Sequence, residues 1–216
     1  MCLFCFSSEP LSSDEVGKGK YGAAYGAHLN DSDTFQITMC QTPCKEPGCW
    51  CASMLCCCCS QMVMRKKVLN HVNPGSGWDD YKCCQGFYGG CCCLQPGQLC
   101  ESSCPVPCLT LEICLCPGPA ASATSLVLRN KYHLGLDKDD VRLIRCNNCI
   151  FCASVILGCL RICIDSDALD CAYHCASCTS DVVFMCTAGC MLGQAHHEVK
   201  CRERGGAPTG MAMLRF

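Results

Sequence analysis

The longest apolar stretches of the chain lie in its C-terminal half. The segment from Val141 to about Cys163 is apolar apart from its polar start and Arg161, and a second helical segment runs from Asp167 to about Ala195. Between them, the sequence Asp165-Ser166-Asp167 provides a helix stop followed by a new N-cap. The pattern therefore predicts an α-helical hairpin.

The two predicted helices carry cysteines at offsets of three, four and seven residues, which place them on one stripe of each helix. These cysteines are Cys149, Cys152, Cys159 and Cys163 in the first helix and Cys171, Cys175, Cys178, Cys186 and Cys190 in the second. The simpler interpretation is that they are small buried hydrophobes where helices approach closely. The alternative is that some of them face each other and bind a metal.

The length of the apolar stretch limits how the hairpin can meet a membrane. Its longest uncharged segment, Cys146 to Leu160, has 15 residues, whereas a spanning helix needs about 20. We therefore expect shallow insertion or burial in a core rather than a transmembrane span.

The remaining sequence divides by composition. Residues 1–38 are polar and glycine-rich, which predicts a flexible N-terminal arm, and residues 39–72 form a cysteine-rich, membrane-proximal segment. Residues 80–201 form a second cysteine-rich unit, whose prolines before residue 120 predict loops and short turns, and residues 202–216 form a tail. The predicted fold is mainly α, with the hairpin following an irregular cysteine-rich middle region.

Composition narrows the possible functions. The 216 residues are 50% hydrophobic, enough for a core, and the net charge of −2 gives no basic footprint for nucleic acid. The chain has 31 cysteines, and some of them form consecutive runs whose members rarely all find disulfide partners. The apolar stretch at its first residues is too short for a secretory signal. We therefore expect reduced thiols on the cytoplasmic side, with a secreted disulfide protein as the alternative.

Two groups of cysteines are candidates for lipid attachment. A run of four cysteines precedes the basic sequence Arg65-Lys66-Lys67, as in acylated segments that lie against anionic lipid, and two more lie at the N-terminus. The predicted lipidation sites are Cys2, Cys5, Cys56, Cys57, Cys58 and Cys59. A short buried helix with a charged end explains the internal run equally well.

Cysteines two to four residues apart also suit zinc, which takes four thiolate or imidazole ligands. Thiols among prolines and polar residues are better ligands than thiols in apolar surroundings, where burial disfavours the thiolate. The predicted ligands are Cys100, Cys104, Cys108, Cys114, Cys116, Cys146 and Cys149. The last two, in Cys146-Asn147-Asn148-Cys149, also have the spacing of a redox dithiol, although they lack the strand-to-helix setting of such motifs.

The C-terminal half contains a cysteine block, then a basic and tyrosine segment before two acids, and then a closing signature. These are Cys108 to Cys116-Pro117, Arg129 to Leu134 with Asp139 and Asp140, and Cys186, Cys190, Gln194, Glu198 and Lys200. In these features, over about Cys83 to Cys201, the chain resembles the placenta-specific-8 family of cysteine-rich proteins, which includes plant cadmium-resistance and cell-number-regulator proteins. The chain departs from the family at Cys114-Leu115-Cys116-Pro117 and at Gly193, where a cysteine is common.

The resemblance implies membrane association, homo-oligomers and a role in divalent-metal tolerance or growth control. Together with the thiol content, it predicts a non-enzymatic, membrane-associated protein of metal handling or growth regulation that binds zinc or another soft divalent metal. The alternative is a palmitoylated, oligomeric interaction scaffold. No phosphate loop, nucleophile elbow or zinc-protease motif is present in the sequence, and no single cysteine is marked as a nucleophile.

Overall fold

The computed structural model describes residues 24–88, 96–97 and 100–205, and within these ranges the fold is helical without a strand. The α-helices are α1 (Thr42–Lys45), α2 (Pro47–Leu55), α3 (Cys57–Val72), α4 (Pro105–Leu115), α5 (Pro117–Tyr132), α6 (Lys138–Cys163) and α7 (Asp167–Glu203). Two 3-10 turns accompany them, at Met39–Gln41 and Cys83–Gly86. The predicted mainly α fold is confirmed.

Helices α6 and α7 form the predicted hairpin. α6 begins where the Asp137 side chain accepts a hydrogen bond of 3.0 Å from the Asp139 backbone N–H, an N-cap that satisfies one of the free donors of the first turn. α7 starts at the predicted Asp167 but runs past Ala195 to Glu203. The two helices pack against each other, which confirms the hairpin.

The proline-rich middle region is more helical than predicted. α4 and α5 begin at Pro105 and Pro117, where proline suits the first turn because its φ is already helical and its missing N–H would have no helical partner. The prolines therefore start helices in this region, and the expectation of loops and short turns is wrong for residues 105–115.

The C-terminal half of α7 forms the centre of the core. Leu192, Ala195 and Val199 are fully buried and pack with residues of α3 and α5. Gly193 lies against Thr42 of α1, so closely that an added Cβ would overlap the threonine methyl group. This contact gives a structural reason for glycine at this position of α7.

The second part of the predicted N-terminal arm belongs to the folded body. Tyr25, Phe35 and Ile37 are buried, and Asp33 forms a parallel bridge with Leu134. Flexibility is therefore wrong for residues 24–38, because three of their large apolar side chains are buried in the folded body. Residues 1–23 and 206–216 lie outside the described residues.

Candidate metal centre

Two adjacent cysteines lie in a tight turn near the start of the cysteine-rich middle region. Cys83 and Cys84 are both buried and belong to the 3-10 turn Cys83–Gly86. Cys84 has φ 46° and ψ 24°, and Gln85 has φ 50° and ψ 27°, so both are left-handed, which is uncommon for residues other than glycine. In extended backbone, neighbouring side chains point to opposite sides. The left-handed turn instead allows the two thiols to lie on the same side.

A carboxylate from α4 meets these thiols. Glu112 is fully buried, and its Oε2 accepts hydrogen bonds of 2.9 Å from the Tyr81 hydroxyl and from the Cys84 backbone N–H. Burial, followed by the nearby Glu112 charge, raises the pKa of Tyr81, so its hydroxyl stays protonated and continues to donate. The carboxylate is thus held in one position by the turn that carries the cysteines.

The charge of Glu112 is balanced by a buried arginine. The Arg65 guanidinium lies 3.0 Å from Glu112 Oε1 and is almost fully buried. It also donates to Thr124 Oγ1 at 2.9 Å and to the Ala120 carbonyl at 2.7 Å, which ties α3 to both α4 and α5. Arg65 therefore does not face lipid, although the sequence placed it in a basic cluster beside the predicted lipidation sites.

Cys83, Cys84 and Glu112 form a possible metal-binding group. One ligand atom from each lies within 4.8 Å of the other two, and in the part of the chain that the structure describes this is the one such group. Two sulfurs with one carboxylate oxygen suit Zn²⁺ and other soft or borderline divalent ions. Three protein ligands occupy three positions of a tetrahedral site.

The predicted ligands lie elsewhere, and among the described residues no three of them bring their ligand atoms within 4.8 Å of one another, although Cys104 and Cys100 lie near enough to Cys108 to influence its thiol. Cys100, Cys104 and Cys114 are exposed, Cys108 is half-buried on α4, and Cys116 is buried where α4 ends and α5 begins. The other two, Cys146 and Cys149, are half-buried on α6 and follow the other predicted ligands by 30 residues or more in the sequence.

Sequence reasoning missed the group for an identifiable reason. The side chains of adjacent cysteines were expected to point in different directions. A left-handed backbone at a residue other than glycine cannot be recognised from the sequence. The available signal was Glu112, an acid within the apolar sequence Leu109 to Leu115. A carboxylate in such a stretch is rarely buried without a partner of its own.

The predicted lipidation sites differ in accessibility. Cys56, Cys58 and Cys59 are exposed, whereas Cys57 is buried and its Sγ accepts a hydrogen bond from Gln61. Burial makes Cys57 a poor acylation site in this conformation. Cys2 and Cys5 lie outside the described residues.

The outer part of the hairpin exposes an apolar surface, which we call the hairpin tip and define as residues 146–180. Phe151, Ile156 and Ile162 are 58%, 59% and 87% exposed, and Val155, Leu160 and Ile164 are also exposed. The cysteine stripe follows the same surface, since Cys152, Cys159, Cys163, Cys171, Cys175 and Cys178 are exposed. For these six, the interpretation as buried hydrophobes is wrong, whereas Cys190 is buried as expected.

By length and composition, α6 and α7 are both apolar enough to cross a membrane, and only 6% of the most apolar 18-residue window of α6 is buried. Core burial, one of the two predicted arrangements, is therefore wrong for this apolar stretch of α6, although the first turn of the helix is buried at Val141. At the turn of the hairpin, Arg161 pairs with Asp170 at 2.6 Å and lies over the ring of Tyr173. This contact joins the two helices and neutralises one charge at the tip.

Comparison with protein-family models, with curated proteins and with solved structures finds no match to this chain. The resemblance to the placenta-specific-8 family remains a prediction from the sequence.

Proposed function

We propose that this chain is a non-enzymatic, membrane-associated protein that binds zinc or another soft divalent metal through Cys83, Cys84 and Glu112. The observation that carries the proposal is the convergence of two buried thiols and a buried carboxylate within 4.8 Å. Cys84 adopts a left-handed backbone to reach this arrangement. Such strain is usually kept where the surrounding structure or a function requires it.

The charges of the group are compatible with a divalent ion. Metal-bound cysteine is a thiolate, so binding through Cys83 and Cys84 releases two protons and brings in two positive charges. The net charge of the site is unchanged, and Arg65 continues to balance Glu112. Metal can thus enter this buried site without adding an uncompensated charge, which would be costly there.

The hairpin tip supplies the membrane contact in this proposal. Its uncharged segment, residues 146–160, has a length of about 22 Å at the helical rise per residue, less than the hydrocarbon thickness of about 30 Å. The charges of Asp165 and Asp167 follow at the turn. This arrangement supports shallow insertion with the apolar face of α6 against lipid. The cytoplasmic side is proposed for the body because its many cysteines are expected to be reduced thiols.

The metal site is tested by elemental analysis of protein purified under reducing conditions. We expect about one equivalent of bound zinc or cadmium in the parent protein, and its loss in the double variant Cys83→Ser/Cys84→Ser. The matched control is Cys44→Ser/Cys51→Ser, which removes two exposed thiols and should keep the metal. Equal metal content in the two double variants would overturn the site.

Membrane binding is tested by flotation of recombinant, unacylated protein with vesicles that contain anionic lipid. We expect Phe151→Asp/Ile156→Asp to abolish flotation, because each side chain contributes about 1–2 kcal/mol on burial and each charge adds a penalty. The control Leu55→Asp/Val63→Asp alters exposed apolar residues of α2 and α3 and should float like the parent. The opposite pattern would overturn the hairpin tip as the membrane contact and assign it to α2 and α3.

The alternative remains a palmitoylated, oligomeric scaffold. The observation in its favour is that Cys56, Cys58 and Cys59 are exposed and accessible to acyl transfer. Hydroxylamine-sensitive acyl exchange on protein from its native membrane would detect this modification. Acylation without bound metal would favour the scaffold over metal handling.

A further inference from the structure

The metal group offers three ligands, whereas a tetrahedral ion takes four. In the part of the chain that the structure describes, Cys83, Cys84 and Glu112 have no further histidine, cysteine or acid whose ligand atom lies within 4.8 Å of all three. Their exposed fractions are 1%, 1% and 0%. A tetrahedral divalent ion therefore has to complete its shell with a water molecule inside a buried site.

The carboxylate of Glu112 has one acceptor position left. A carboxylate has about four such positions. Oε2 accepts from the Tyr81 hydroxyl and from the Cys84 backbone N–H, and Oε1 accepts from the Arg65 guanidinium. The remaining position on Oε1 is open either to a metal bond or to a hydrogen bond from an O–H group.

Trivalent arsenic matches both the number and the kind of these ligands. It forms three bonds in a pyramid and has a lone pair in place of a fourth ligand, and as a soft centre it prefers sulfur. Two thiols on adjacent residues bind it as a chelate. Because the left-handed backbone of Cys84 allows both thiols to lie on one side, the chelate closes without moving a second segment of the chain.

We propose that this group, whose assignment rests on the proposed function, takes up trivalent arsenic as arsenous acid and prefers it to zinc. Cys83 and Cys84 provide the two sulfur ligands. The third ligand is a hydroxyl that arsenic keeps, and this hydroxyl donates a hydrogen bond to the remaining acceptor position of Glu112. The Glu112 charge stays paired with Arg65.

The binding step balances without an oxidant or a reductant. Arsenous acid, As(OH)3, gives up two hydroxyl groups, and each leaves as water with the proton of one thiol. Two As–S and two O–H bonds form, while two As–O and two S–H bonds break. Arsenic remains trivalent, sulfur is not oxidised, and the product is a neutral dithiolate with one As–OH group.

Charge also favours the entry of arsenous acid over that of zinc. Arsenous acid is uncharged at neutral pH, so it reaches the buried thiols without bringing an ionic charge into apolar surroundings. A zinc ion brings two charges and loses most of its water before the thiols release their protons. Both bound states leave the net charge of the site unchanged, so the preference comes from coordination number and from the cost of entry.

Competition between zinc and arsenite tests the preference. Full-length protein is reduced with a phosphine, loaded with zinc and treated with sodium arsenite; a chromophoric chelator detects released zinc, and elemental analysis after gel filtration measures bound arsenic. We expect the parent and the control Cys44→Ser/Cys51→Ser to release zinc as they bind about one equivalent of arsenic. Zinc retained against roughly a tenfold excess of arsenite would overturn the preference.

The same samples separate the arsenic site from the proposed divalent site. Protein that binds arsenic at Cys83 and Cys84 but takes up no zinc would refute the divalent site and support the arsenic site. Bound zinc without bound arsenic would do the opposite. Cys83→Ser/Cys84→Ser should bind arsenite more weakly than the parent by at least about tenfold, and equal binding by the two double variants would overturn the arsenic site.

X-ray absorption at the arsenic edge shows which atoms hold the arsenic. We expect two sulfur ligands and one oxygen ligand in the parent, and loss of the sulfur signal in Cys83→Ser/Cys84→Ser, whose helix content is checked by circular dichroism. Three sulfur ligands in the parent would assign arsenic to other cysteines and overturn the proposal, whatever the fold of the variant. A two-sulfur spectrum that the double variant leaves unchanged would overturn it as well.

Discussion

The buried pair of Arg65 and Glu112 offers a quantitative test of how the middle region is held. In Glu112→Gln the shape of the side chain is kept but its charge is lost, which leaves the Arg65 guanidinium buried without a counter-ion. Removing one partner of a buried ion pair typically costs about 3–5 kcal/mol. Glu112 also accepts from Tyr81 and Cys84, so we expect a value in the upper part of this range.

The double variant Arg65→Met/Glu112→Gln separates charge from packing. It removes both charges, and replacing both partners of a buried pair is often close to neutral. Thr124 and the Ala120 carbonyl lose their donor in Arg65→Met, so we expect the double variant to be less stable than the parent by about 1–3 kcal/mol. That cost is below the sum of the two single changes.

Urea unfolding followed by circular dichroism, with reductant and chelator present, measures the four free energies of unfolding. The chelator removes any contribution from bound metal. A double variant whose destabilisation equals the sum of the two single values would show that Arg65 and Glu112 are not coupled. This result would refute the description of the pair as a buried salt bridge.

Two further predictions follow from packing and from charge. Gly193→Ala should lower the free energy of unfolding by about 1–3 kcal/mol, because its Cβ would overlap the Thr42 methyl group. The control Gly189→Ala, whose Cβ would meet Trp50 less closely, should lower the free energy of unfolding by less in the same urea titration. Although burial acts to raise it, hydrogen bonds from His197 and Lys200 hold the pKa of Glu46 below its usual 4.5. The carboxylate therefore stabilises the fold above about pH 4.5, and this stabilisation is lost as the pH falls through the lowered pKa. Glu46→Gln should be less stable than the parent by about 1–2 kcal/mol at pH 7, and a deficit that stays the same down to pH 3 would contradict this.

The hairpin could be predicted because its signals are local. The acidic turn around Asp167 marks the helix start, and the apolar stretch after Val141 marks the first helix. The sequence could not show which face of α6 is covered, since cysteine is equally compatible with a core and with a surface. The exposure of Phe151 and Ile156 therefore had to come from the structure.

The candidate site was less predictable, because it depends on contacts between distant segments. Arg65 and Glu112 are 47 residues apart, and Arg65 was read with its basic neighbours Lys66 and Lys67 as a charge cluster. The left-handed conformation of Cys84 has no sequence signal of its own. Local spacing instead favoured the cysteines between Cys100 and Cys116, of which the fold exposes Cys100, Cys104 and Cys114.

The central claim is that Cys83, Cys84 and Glu112 bind one metal ion, and X-ray absorption spectroscopy of the zinc-loaded protein tests it most directly. The account predicts two sulfur ligands at about 2.3 Å and oxygen or nitrogen ligands at about 2.0–2.2 Å, with the sulfur signal lost in Cys83→Ser/Cys84→Ser. Four sulfur ligands, or a two-sulfur spectrum that this double variant leaves unchanged, would place the metal among other cysteines and contradict the account.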